Sequence, residues 1–169
     1  MMNNKINYYQ TFIGTIVLLV GLFIYVFDRH FIPLFPIPNV IKLVEGTPQL
    51  FGSFSNFLPS FIHVFSFSLI TASIIGCGKM SYLYVCMFWG MVNLLLELGQ
   101  APWIYEWIQP MISPWNDKNL IILYLDSYLK NGVFDILDVL SILFGALMAY
   151  KVLELSQSVK RPNSLLLRK

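Results

Sequence analysis

Apolar residues in this chain come in long unbroken runs instead of at every second or every third to fourth position. Residues 6–27 contain no charged side chain and include IGTIVLLVGLFIYVF. A second run, FLPSFIHVFSFSLITASIIGC at 57–77, is interrupted only by His63. A third extends over 82–99 with Glu97 near its end, and a fourth over 133–153 with Asp135 and Asp138 near its start. About 18 or more such residues suffice for a helix to cross the roughly 30 Å hydrocarbon core of a bilayer. The pattern therefore predicts an all-α integral membrane protein, a bundle of about four transmembrane helices near 8–27, 57–77, 82–99 and 133–153, forming a single domain over residues 1–169. The first run follows Lys5 as a signal peptide would, but it is too long for one and no cleavage pattern follows, so a retained anchor is expected.

Two longer connections join the spans. Residues 28–56 hold Pro33, Pro36 and Pro38 within FIPLFPIPNV, which breaks any helix there. Residues 101–132 hold Trp103, Trp107 and Trp115 ahead of NLIILYLDSYLK. These rings suit the headgroup level of a membrane, and 119–130 reads either as a short helix on the membrane surface or as a loop over the bundle mouth.

Composition strengthens the membrane reading. The chain is 57% hydrophobic and 12% charged, with mean hydropathy +0.67, whereas soluble domains are about a quarter charged. A net charge of +2 without a basic stripe gives no footprint for nucleic acid. Cys77 and Cys86 form neither a disulfide framework nor a metal-ligand spacing, and no cofactor motif appears. An even number of spans puts both termini on one side. The tails and the 76–81 turn carry Lys5, Lys79, Lys151, Lys160, Arg161, Arg168 and Lys169, against Arg29, Lys42, Lys118 and Lys130 opposite. That bias predicts cytoplasmic N and C termini, a cytoplasmic tail at 154–169, and short interfacial segments outside.

With this orientation the polar residues in the spans form a layer. His63 lies roughly 9 Å below the start of its span at the rise of an α-helix. Glu97, Gln100, Asp135 and Asp138 lie at similar depth in the outer half. Glu97 and Gln100 share a face at i,i+3, and their stripe runs on through Asn93, Gly90 and Cys86. Asp135 and Asp138 share another, continuing through Ile142, Gly145 and Ala149; His63 is grouped with Ser66 and Ser73. Ionisable groups inside a bilayer are costly, about 3 kcal/mol at its centre on insertion scales, unless they pair or meet water. The candidate pocket is therefore His63, Asn93, Glu97, Gln100, Asp135 and Asp138, opening outward. The competing view is that Asp135 and Asp138 only mark a helix start, where the dipole favours carboxylates.

At these residues the chain resembles the VanZ-like family of small bacterial membrane proteins. PSFIHVFSFSLITA is similar to its H-x-x-x-F element through His63 and Phe67. LLLELGQ is similar to E-x-x-Q through Glu97 and Gln100, and VFDILDVLSILFGALMAY to the closing D-x-x-D helix through Asp135, Asp138 and Gly145. Ile142 stands where the family usually has Asn, Ala149 where it usually has Gly, and the Arg before the last span is absent. The resemblance implies a multi-pass protein of the bacterial cytoplasmic (inner) membrane facing the cell envelope. It also implies a link to antibiotic resistance, since one family member is associated with resistance to teicoplanin.

Three functions follow as expectations. A non-enzymatic protein would bind an amphiphile, such as a lipid-linked glycan, a lipid headgroup or a lipidated glycopeptide. An intramembrane enzyme acting on envelope lipids would use His63 and the carboxylates for acid–base work or to hold a divalent ion. A structural or accessory subunit would dock another membrane protein on small-residue faces around Gly14 and Gly21. The partners expected are membrane lipids and an amphiphilic ligand or a second membrane protein.

Overall fold

The computed structural model describes residues 7–28, 51–75, 78–116 and 118–159. The Pro-rich stretch at 29–50, Gly76 and Cys77 of the turn, and the basic tail at 160–169 lie outside the described residues. Within them the chain is helical, with no strand. Six α-helices follow in order: α1 (Tyr8–Asp28), α2 (Phe54–Ile75), α3 (Lys79–Gly99), α4 (Pro102–Ile112), α5 (Leu120–Asn131) and α6 (Ile136–Val159), with a 3₁₀ turn at Ser113–Trp115. Four of them, α1, α2, α3 and α6, are long and apolar enough to cross a membrane. They make the chain a multi-pass membrane protein in outline.

Helix boundaries differ from the expected ones for local reasons. α2 starts three residues early because a turn at Gly52, with φ +52°, folds the chain so that Ser55 Oγ donates back to the Gly52 carbonyl at 2.7 Å. Pro59 falls inside this helix, as bilayer helices tolerate when neighbours satisfy the freed carbonyl. α6 begins at Ile136 and not at 133, because Asp135 caps it from outside. It also runs on to Val159, so residues 154–159 are helix and not tail.

α2 is the central element, packed against α1, α3 and α6, while α6 also lies on α3. The common core is Phe65, Leu69 and Ala72 of α2, Tyr82, Val85 and Cys86 of α3, and Ala149 and Leu153 of α6. Close backbone approach sets the geometry. A Cβ at Gly145 would lie 2.8 Å from the Phe61 carbonyl oxygen, and one at Gly14 3.0 Å from the Ser66 carbonyl oxygen. Gly21 likewise sits against Ile62. Small-residue contacts of this kind substitute for a hydrophobic driving force, which lipid does not provide between helices. They also correct one expectation: Gly14 and Gly21 are buried against α2 and offer no free face to a partner. Large apolar side chains such as Phe12, Leu19, Phe88, Leu95 and Leu147 cover the outside of the bundle instead.

At the end where α1 and α3 begin, a hydroxyl and amide knot joins three helices. Buried Gln10 donates to Ser156 Oγ at 2.5 Å, and Thr11 and Ser73 hydroxyls meet at 2.7 Å. Beside it Lys79 pairs with Glu154 at 2.8 Å.

Candidate functional site

The opposite end, where α3 finishes and α6 starts, carries the acidic residues. The first turn of any helix leaves N–H groups without intrahelical partners. Here Asp135 accepts from the Leu137 N–H at 2.9 Å through Oδ1, the usual capping contact. The Asp135 N–H in turn donates to Glu97 Oε1 at 2.9 Å, so a side chain from α3 clasps the backbone that opens α6. One turn on, Asp138 accepts from the Ser60 hydroxyl, tying α6 to α2. Glu97 is 6% and Asp138 8% exposed, which leaves both carboxylates inside the protein.

Gln100 joins the same end. It is 8% exposed, and a Cβ on Gly132 would come within 2.2 Å of its Oε1. The amide therefore lies flat against the backbone that leads from α5 into α6. Next to it Gly99 receives Leu129 of α5, whose methyl a Cβ there would meet at 2.8 Å.

His63 and Asn93 occupy a neighbouring position and not the same one. Phe67 of α2 meets Trp89 of α3 at a ring separation of 4.9 Å, and Trp89 Nε1 donates to Thr71 Oγ1 at 2.9 Å. α2 and α3 are joined by a short connection and run in opposite directions. Four residues from this pair, toward the acidic end, therefore puts His63 and Asn93 at one level. The His63 ring lies 5.9 Å from that of Phe67, and its side chain is exposed on the bundle surface. Ser66 and Ser73 are wholly buried, so His63 does not share their face. The Asn93 amide turns back to its own helix, donating to the Trp89 carbonyl at 2.9 Å.

The structure thus brings Glu97, Gln100, Asp135 and Asp138 to one end of the bundle, with His63 and Asn93 about a turn deeper and the His63 side chain on the outer surface of the bundle. Ser60 is the member that sequence reasoning passed over. Its signal is its spacing, three residues before His63, but a single Ser beside Pro59 does not stand out in an apolar run. Among the described residues no three His, Cys, Asp or Glu side chains are gathered so as to hold a metal ion.

α4 and α5 form a hairpin beside this end. Asp126 is its hinge pin, accepting from the Tyr105 hydroxyl at 2.8 Å and from Asn116 Nδ2 at 2.7 Å. Desolvation, with the hydrogen bond to Asp126 and its negative charge, raises the pKa of the Tyr105 phenol above 10.0. Asn119 caps α5 by accepting from the Ile121 N–H at 2.9 Å. The stretch 119–130, expected as either a surface helix or a loop, is a helix, and α4 lies in the part of the 101–132 connection expected only to carry interfacial aromatics.

No family model matches this chain, and no curated protein or solved structure does so either.

Proposed function

We propose that this chain is a VanZ-like protein of the bacterial cytoplasmic membrane, with both termini in the cytoplasm, that binds an envelope amphiphile at the acidic end of its bundle without chemical turnover. The carrying observation is the meeting of Glu97, Gln100, Asp135 and Asp138, from two sequence-distant segments, at the start of α6. In this orientation that end faces outward, a reading supported by the excess of Lys and Arg on the termini and the 76–81 turn. A ligand with an apolar tail can lie along the exposed Phe and Leu surface while a head rich in hydrogen-bond donors meets the negative charge of the acidic end. The three family-like elements fit this reading, and a lipidated glycopeptide is one ligand of that chemistry.

A purely architectural role has its own support, because Glu97 and Asp138 each accept a hydrogen bond that joins helices. Charge separates the two. Glu97→Gln and Asp138→Asn keep an acceptor oxygen but remove the negative charge. A glycopeptide-sensitive bacterium expressing the chain should tolerate more teicoplanin, and either neutral variant should lose that tolerance at normal membrane abundance. Unchanged tolerance in both variants would leave only the architectural role.

A further inference from the structure

The α4–α5 hairpin carries apolar side chains on the face it does not use for packing. On α4, Trp103, Trp107 and Met111 follow at i,i+4 spacing and are all exposed, Trp107 by 79%. On α5, Leu120, Tyr124 and Tyr128 repeat that spacing and are exposed too. The inner faces are taken: Tyr105 and Asp126 join the helices, and Leu129 seats on Gly99. The hairpin packs on itself and on the end of α3, so it stands beside the bundle.

We infer that this hairpin is a membrane-interface anchor whose partner is the headgroup layer of the lipid bilayer on the side where α6 begins. Connectivity fixes its height. α4 starts three residues after α3 ends at Gly99, and α6 starts five residues after α5 ends at Asn131. Since α3 and α6 are both long enough to span, a hairpin so tethered at both ends stays at the bilayer boundary. Its exposed rings are of the kind that partitions there, with apolar bodies for the acyl region and N–H or O–H groups for the headgroups. Lys118, stacked over Trp115 at 5.7 Å, extends a cation to the phosphate level from the turn between the helices. The apolar stripes therefore lie against lipid and hold the acidic end of the bundle at a fixed depth. The inference needs only the four spans, so a failed ligand test leaves it standing.

Tryptophan fluorescence of the full chain in phosphatidylcholine vesicles tests it. The chain has four Trp, and Trp89 in the middle of α3 serves as the depth reference. A variant keeping only Trp107, the others replaced by Phe, should lose most of its emission to lipids brominated near the headgroup and little to aqueous acrylamide. A variant keeping only Trp89 should respond best to bromine placed deep in the acyl chains. If replacing three Trp prevents folding, the unaltered chain should still lose most of its emission to shallow bromine. Strong acrylamide quenching without lipid quenching would put the hairpin in water and overturn the anchor. Shielding from both quenchers would mean that protein covers it, which overturns the anchor equally.

Discussion

Glu97 combines a charge that hydrocarbon disfavours with a hydrogen bond that α6 requires, so its substitutions separate the two roles. Glu97→Ala leaves the part-buried Asp135 N–H without its protein acceptor, at a cost of about 1 kcal/mol, the net worth of a typical hydrogen bond. Glu97→Gln keeps the acceptor and should cost much less. Reversible unfolding in detergent micelles checks the difference, and equal losses would contradict the clasp. Tyr105 offers a pH handle away from the spans. Its pKa is raised in the folded state, so the proton favours folding. That contribution is complete below pH 10 and fades as pH rises through the folded value. The wild type should therefore lose stability at strongly alkaline pH more steeply than Tyr105→Phe, as read by helical circular dichroism. At this scale the sequence was informative where spacing alone decides: Glu97 and Gln100, three residues apart, are both buried at the same end. It was silent on Ser60 and on the outward turn of His63, because a helix hydrophobic all round carries no signal for which side meets a neighbour.

At the scale of elements, the four spans were legible because length and missing charge are enough to define them. α4 was not, since residues 101–132 read only as a connection whose Trp suit the headgroup level. Yet Pro102 sits at the helix start, where its absent N–H and fixed φ cost nothing. Helix packing was legible only in part, since small residues announce close approach without naming the partner. Gly14 and Gly21 looked available and are covered by α2. Two glycines make the packing testable. Gly145→Ala drives a methyl against the Phe61 backbone, and overpacking of this kind costs about 1–3 kcal/mol. Gly90→Ala meets only Ala146 at an ordinary 3.6 Å, and should be neutral or stabilising by about 0.5–1 kcal/mol through helix propensity. Unfolding midpoints of the two variants in the same bicelles check this, and the reverse order would contradict the α2–α6 contact.

For the whole molecule, the bundle is fastened at both ends by polar side chains. One end is joined by Gln10, Thr11, Ser73 and Ser156, the other by Glu97, Asp135, Ser60 and Asp138. The proposed orientation assigns the first end to the cytoplasm. A green fluorescent protein fused after Lys169 should therefore fluoresce in cells, whereas a dark fusion at normal abundance would reverse it. Membrane class was legible from hydropathy. Which side chains converge was not, because convergence depends on helix rotation and register.

Binding of teicoplanin to the purified chain in lipid nanodiscs, wild type against the E97Q/D138N double variant, tests the central claim most directly. Saturable binding by the wild type and its loss in a double variant of unchanged helical content is the predicted result. Equal binding by the two proteins, or none by the wild type, would contradict it.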